Sequence, residues 1–245
     1  MKILINKFLV QNKLSLANLQ YIYQDPILPN HVKILYKSKT GSRDMYEILN
    51  TPQMAEPKMK RKWDNDLNLH IDIVTLKTIF KTCFKIVDNN SLVWLQYRLL
   101  NRILGVRKYL FDLKIDDTDS CRLCSSTSET LIHLFSECIK AQELWHCVKT
   151  EIKIKIGFDL NFNTETIILG YLNSDTNFKP INLILLVTKQ YIFYCALRSK
   201  NPNFHILRNR LINNFPEQQM IAKIQFNEDN FNKVWQRWNP FFLDI

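Results

Sequence analysis

A mainly α fold, with helical segments around a small Cys/His module and a helical C-terminal part, is predicted by three observations. Apolar residues recur at three- and four-residue spacing over much of the chain, only four glycines occur in 245 residues, and three cysteines and a histidine fall within eighteen positions. Gly41, Gly105, Gly157 and Gly170 are too few for the positive-φ turns of a barrel or for a phosphate-cradling loop. Helices joined by Asn, Asp, Ser and Pro turns are expected instead. With 46% hydrophobic and 12% aromatic residues the chain can fill a core, which excludes disorder of the whole.

The first forty residues alternate short apolar pieces with Lys and Asn, broken by Pro26 and Pro29, and a helical turn is expected around Arg43 to Leu49. Thr51 to Lys62 (TPQMAEPKMKRK) carries two prolines and four basic residues, the composition of an exposed linker or basic arm. A boundary is placed there: residues 1–62 are a basic N-terminal segment and linker, 63–156 a helical Cys/His domain, and 157–245 a helical C-terminal tail.

Beyond Trp63, Ile73, Leu76, Phe80 and Phe84 mark one amphipathic helix. Leu92, Leu95, Leu99 and Ile103 mark a second, after the turn Asp88-Asn89-Asn90-Ser91, with Gly105 placed to end it. Arg98 and Arg102, four apart, are expected to share a face of that helix, with Arg107 and Lys108 just beyond. These four are the candidate phosphate contacts, a solvated face being the plain alternative. Ala141, Leu144, Trp145, Val148 and Ile152 mark a third helix, expected to fray into the alternating Ile152–Ile156. Beyond Pro180, Ile181 to Lys200 reads as a buried core helix. Its longest mostly apolar stretch, Ile181 to Val187 with Asn182 inside it, falls short of the ~20 residues that span a bilayer. His205 to Ile224 is a further helical stretch interrupted by Pro216, and Phe231, Val234, Trp235 and Trp238 form a closing aromatic cluster.

The formal charge of +10 is unevenly spread. Met1–Lys62 holds 11 basic against 4 acidic residues, Trp63–Asp175 holds 13 against 15, Thr176–Gln225 holds 7 against 1, and the remainder 2 against 3. Two basic segments flank a neutral centre, a pattern suited to a polyanion, with a merely solubilising surface as the alternative. Lys7 interrupts the apolar run MKILINKFLV and no small-residue cleavage site follows, so the six cysteines are expected reduced in an intracellular compartment, nucleus or cytoplasm.

Cys121 to Cys138 reads CRLCSSTSETLIHLFSEC, a C-x2-C-x8-H-x4-C arrangement. Two cysteines two residues apart can aim both thiolates at one ion across a tight turn, and a His/Cys pair can complete a tetrahedron from a second element. Cys121, Cys124, His133 and Cys138 are therefore the expected ligands of one Zn2+; ordinary buried thiols with a satisfied histidine are the alternative. Four protein ligands leave no open position, so the zinc is expected to be structural. Ser126 and Glu129 suggest a capping box, and so a helix that begins right after the cysteine turn and carries His133. Glu129 is also spaced to orient the imidazole. Cys138 lies ~140° from His133 on an ideal helix, so the helix is expected to end or loosen there. His146 and Cys147 read as packing or surface residues, Cys83 and Cys195 as core thiols.

At these residues the chain resembles the zinc-binding segment that follows the reverse transcriptase domain in non-LTR, long-interspersed-type retrotransposon proteins. The resemblance is carried by Lys62-Trp63-Asp64-Asn65-Asp66-Leu67, by Gln96 through Leu104 (QYRLLNRIL), by Cys121-x2-Cys124, Glu129-Thr130, His133-Leu134-Phe135-x2-Cys138 and Trp145, and later by Lys189-x-Tyr191-Ile192 and Trp238-Asn239-Pro240-Phe241. It covers roughly Arg43 to Phe241 and implies a fragment of a larger protein whose upstream domains copy RNA into DNA. Only the four zinc ligands carry over residue by residue. No aromatic-x-Asp-Asp polymerase signature is present, since Asp116-Asp117 follows Lys114-Ile115, and no Pro-Asp nuclease motif follows the cysteines.

The expected function is a non-catalytic, zinc-stabilised module that binds nucleic acid, RNA rather than DNA, with no membrane partner and with Trp94 and Tyr97 available for stacking. The alternative is a structural or protein-interaction segment that docks on a reverse transcriptase domain without binding nucleic acid itself. An enzyme is the least favoured reading.

Overall fold

Where the apolar periodicity runs, helices form, and the computed structural model describes them over residues 57–86, 89–172, 178–224 and 227–243. Readings placed on the first 56 residues, including the turn at Arg43 to Leu49, lie outside the described residues. From Lys58 onward the chain forms one compact unit. Among the described residues it is mainly helical, the only strand-like pairing being the bridge between Ser120 and Ser128.

Helix α1 (Lys58–Leu67) begins inside the segment expected to be a linker. Lys60 is buried with its ammonium 2.7 Å from Asp64, one turn on, and Asp64 also accepts from the Ile71 amide at 2.9 Å. The basic run is therefore partly structural. Trp63, fully buried, donates its indole N–H to the Leu100 carbonyl at 2.8 Å, one of the carbonyls that a helix end leaves without an internal partner.

Helix α2 (Ile73–Ile86) is capped by Asp72, which accepts from the amides of Val74 and Thr75. Asn89 caps α3 (Asn90–Leu100) in the same way through Ser91. Helix α3 is shorter than the periodicity suggests. It ends in a Schellman turn, Arg102 N–H to Leu99 O and Ile103 N–H to Arg98 O, with Arg102 itself left-handed at φ 60°. Gly105 does not end the helix, and Arg98 and Arg102 do not share its face. A non-glycine residue is held there because the Arg102 guanidinium lies 4.3 Å from the Trp63 ring centre and 2.6 Å from Asp66. Arg102→Ala should thus lower stability by about 1–2 kcal/mol in urea titrations, the loss of a cation–π contact and a half-exposed ion pair. Arg102→Gly should cost less, because it relieves roughly 1 kcal/mol of left-handed strain.

After the short α4 (Arg107–Asp112) and the cysteine module comes α5 (Ile139–Ile156), which does not fray but runs to Gly157, left-handed at φ 69°. Asn163 caps α6 (Thr164–Leu169). Gly170 follows at φ 96°, where an added Cβ would meet the Asn182 amide oxygen at 2.9 Å. Asn182 needs that approach to bond both the N–H and the C=O of Tyr171.

Helix α7 (Phe178–Leu197) is the core helix. It is the one described helix long and apolar enough to cross a membrane, but 78% of its apolar window is buried inside the protein. Its buried Lys189 donates to the Gln96 side-chain oxygen at 2.5 Å, while Gln96 donates to the Ile168 carbonyl at 2.9 Å. One polar chain thus joins α3, α6 and α7, residues far apart in sequence, and meets the demand that buried polar groups be paired. Helix α8 (Phe204–Ile224) continues through Pro216. Helix α9 (Glu228–Trp235), a 3-10 turn (Gln236–Trp238) and α10 (Asn239–Phe242) close the chain. There Phe215 stacks on Phe242 at 5.0 Å, beside Phe231 and Trp235. Arg208, buried, bonds the Phe241 carbonyl and Glu151, tying α10 and α5 to α8.

Candidate metal centre

The module is built by two short segments that are both hydrogen-bonded to the start of α4. In the first, Cys121 to Ser125 form a tight turn closed by Ser125 N–H to Cys121 O at 2.8 Å, with Ser125 left-handed at φ 58°. Cys121 N–H to Thr127 O at 2.7 Å closes the loop behind it. In the second, Thr130 caps the helical start at Leu131 by accepting the His133 amide on its hydroxyl at 3.0 Å. The expected Ser126–Glu129 capping box is not formed, and the helix starts later than that box implied.

From His133 to Glu137 the backbone takes a π-helical turn, closed by Cys138 N–H to His133 O at 2.7 Å. The wider i→i+5 turn is the physical answer to the spacing problem: Cys138, displaced on an ideal α-helix, returns to the side of His133. The Phe135 carbonyl within this turn accepts the indole N–H of Trp145 on α5 at 2.7 Å, and Ser136 bonds Thr164 on α6 at 2.7 Å. Leu134 and Phe135 are fully buried.

These two segments bring together all four expected ligands. One donor atom each from Cys121, Cys124, His133 and Cys138 lies within 4.8 Å of all the others. The Cys121 and Cys138 sulfurs are 3.9 Å apart, and the Cys124 sulfur is 3.3 Å from His133 Nε2. A tetrahedral zinc with Zn–S of about 2.3 Å and Zn–N of about 2.0 Å has S–S edges of about 3.8 Å and S–N edges of about 3.6 Å. The donor set fits zinc in number, type and spacing, and three of the four residues are buried.

Backbone amides complete the preparation of the site. Hydrogen bonding from the Cys138 thiol holds Cys121 down, to about 4, with burial opposing and the amides of Cys124 and Leu123 assisting. That same bond, together with burial, pushes Cys138 up against the pull of the Ala141 and Lys140 amides at the start of α5. Burial raises Cys124, but the Ser126 hydroxyl and amide and the His133 ring outweigh it, so the thiol is lowered. Burial works against a charged His133, and its bonds to Cys124 and Cys121 prevail, raising it. Every sulfur therefore has peptide N–H donors that stabilise the thiolate, the form that ligates metal. The Thr127 hydroxyl lies at the ring edge of His133, 3.0 Å from Nδ1 and 3.2 Å from Nε2, where it can fix the ring when Nε2 faces the sulfurs.

Glu129, expected to cap a helix or orient the histidine, does neither. It is wholly buried, and its carboxylate accepts the backbone N–H of Arg107 at 2.9 Å, the backbone N–H of Arg122 at 2.8 Å, and the Arg122 guanidinium. Arg122, between the first two cysteines, reaches on to the Gly105 carbonyl at 3.3 Å. Arg107 donates to the Ser120 carbonyl at 3.2 Å and lies 3.4 Å from Asp116. An arginine inside the C-x2-C turn and an acid four residues before the histidine were the available signals for this clamp.

Of the four basic residues singled out as phosphate contacts, Arg102 and Lys108 line one cavity together with Lys62, whereas Arg98 and Arg107 are not among its lining residues. Arg102 is engaged with Trp63 and Asp66, and Arg107 with the cysteine loop. Lys108 pairs with Asp112 at 2.8 Å. Arg98 is exposed, its side chain only 3.4 Å from the Trp94 carbonyl of its own helix. Of the other candidates, His146 is exposed, Cys147 half-buried and Cys195 buried.

Residues 41–145 match the protein family described as zinc-binding in reverse transcriptase. No curated protein matches the chain. The match spans α1 to the first turns of α5 and contains all four ligands, so the cluster and the matched segment fit a reverse transcriptase zinc-binding domain and support one structural zinc. Such a domain is accessory rather than catalytic.

Proposed function

We propose that the chain is a non-catalytic, zinc-stabilised nucleic-acid-binding tail of a non-LTR retrotransposon reverse transcriptase protein, acting inside the cell on RNA rather than DNA. The observation that carries this reading is the solvent face of α3. Trp94, 58% exposed, meets Tyr97 edge-on at 5.4 Å, and Arg98 extends beside them. Large aromatic rings left in water next to a cation, in a segment matched to a reverse transcriptase family, suit the stacking of unpaired bases with the phosphate on the arginine.

Fluorescence anisotropy of a labelled single-stranded oligoribonucleotide tests it. Binding is expected to weaken with salt, Trp94→Ala to cost about 1–3 kcal/mol for a lost stacked base, and Arg98→Gln to flatten the log–log salt slope by about 0.7. Absence of binding to RNA or DNA at low salt would refute the reading.

A second reading rests on the apolar side chains around α4, Phe111, Leu113 and Ile115, which are exposed. These favour docking on a protein such as a polymerase domain. Capture of a separately supplied polymerase domain, without salt-sensitive nucleic-acid affinity, would select it.

A further inference from the structure

Away from the zinc, three cations gather where α7 turns into α8. The Arg198 guanidinium lies 3.8 Å from the ring centre of Tyr194, and that of Arg210 lies 4.7 Å from the same ring and 5.2 Å from Tyr191. Lys200 joins them from the loop. Helix α7 ends in a Schellman turn, Ser199 N–H to Ala196 O and Lys200 N–H to Cys195 O, each at 3.0 Å, and the Tyr191 hydroxyl accepts the Asn203 amide at 3.0 Å. The loop that carries Arg198 and Lys200 is therefore fixed by backbone bonds at its start and by the Tyr191 hydroxyl at its end. Burial pushes the Cys195 thiol up, while Tyr191 and then the charges of Arg210, Arg198 and Lys200 pull against it.

Arginines and lysines on a protein surface ordinarily pair with carboxylates, as Lys140 does with Glu143, and Lys149 and Lys153 with Asp159. Among the described residues no carboxylate pairs with Arg198, Lys200 or Arg210, and Glu217 is the only acid in Thr176–Gln225. Three unneutralised cations held close repel one another, and that arrangement is stabilised when an anion with several closely spaced charges binds. Tyrosine rings hold both guanidinium planes in place, which lowers the entropy lost on binding.

The geometry points to a phosphate clamp for single-stranded nucleic acid at the α7–α8 corner, in which Arg198, Lys200 and Arg210 hold successive backbone phosphates and Tyr194 positions the two guanidinium groups. This deepens the nucleic-acid reading above and rests on it. The clamp lies outside residues 41–145, so it adds a contact surface that the matched segment does not contain.

The test uses the full chain with zinc bound and a fluorescein-labelled single-stranded oligouridylate, titrated across a salt series. Arg198→Gln/Lys200→Gln/Arg210→Gln is expected to flatten the log–log salt slope by about 2, three contacts at about 0.7 each. A control that removes the same charge from paired sites, Lys140→Gln/Lys149→Gln/Lys153→Gln, is expected to leave the slope near that of the parent. Tyr194→Ala should weaken binding severalfold, and Tyr194→Phe should restore it. Zinc content and circular dichroism check folding. If the triple variant does not fold, Arg198→Gln/Lys200→Gln, both at exposed positions, should still flatten the slope by about 1.4. Equal slopes for the clamp variant and the control overturn the clamp, whereas a parent chain that binds no nucleic acid overturns the underlying reading. Binding to phosphatidylserine vesicles that the clamp variant alone loses, with its RNA slope intact, assigns the cluster to a membrane surface and also overturns the clamp.

Discussion

Cys121→Ser is expected to reduce bound zinc from one ion per chain to none and to remove most of the protein's thermal stability. The reason lies in how little regular backbone structure, apart from the Glu129 clamp, holds residues 113–130. Between α4 and the π turn the backbone makes one isolated bridge and a few turn bonds, and no strand or long helix crosses the loop. Structural zinc sites supply on the order of 10–16 kcal/mol of apparent binding free energy, against a net stability of about 5–15 kcal/mol for a whole domain. Leu134 and Phe135 from this module are fully buried in the same core as α5 and α7, so losing the metal exposes core surface as well as freeing a loop. Metal analysis and circular dichroism melts read the two effects separately. Cys147→Ser, at a half-buried thiol outside the cluster, should retain the zinc and melt near the parent temperature. A Cys121→Ser chain that keeps a full zinc equivalent would contradict the ligand assignment.

The ligands were legible in the sequence because spacing alone constrains them, and so was the mainly α class, because helical periodicity survives without knowledge of partners. Even the loosened helix at Cys138 was implied by the mismatch between five residues and a 3.6-residue turn, although its form, a π turn, was not. What failed to show were features set by contacts distant in sequence. Gly105 was the natural helix stop by residue type, yet Arg102 takes the left-handed position because Trp63 and Asp66, some forty residues earlier, hold its side chain. Ser126 and Glu129 satisfy a local capping rule, but the carboxylate is better used by the amides of Arg107 and Arg122 and by a guanidinium. Local rules describe what a residue can do unopposed, and a buried carboxylate goes where the most donors converge. Arg98 and Arg102 part for the same reason: helical spacing puts them on one face, but the helix ends at Leu100.

Glu129→Gln should be nearly as damaging as loss of a ligand, although the residue touches no metal. The carboxylate and the Arg122 side chain are 0% and 9% exposed, so neither charge is relieved by water. Removing one partner of a buried pair typically costs 3–5 kcal/mol because the other charge is left uncompensated. The amide keeps one oxygen as acceptor for a backbone N–H but turns its NH2 toward a second donor. Since Arg122 sits between Cys121 and Cys124, slackening its backbone should also loosen the cysteine turn and weaken zinc affinity by about 10–100-fold, the usual consequence of losing a group that orients ligands. A cycle separates the ion pair from the backbone clamp. If the guanidinium–carboxylate attraction dominates, Glu129→Leu/Arg122→Leu should recover most of the stability that Glu129→Leu loses, since apolar replacement of a buried pair is often neutral. The structure predicts only partial recovery, because the amides of Arg107 and Arg122 remain buried without an acceptor at about 1–3 kcal/mol each. Urea titrations with zinc held saturating measure the stability terms, and competition with a chromogenic chelator measures the affinity; full recovery in both would show that Glu129 acts on Arg122 alone and not on the loop.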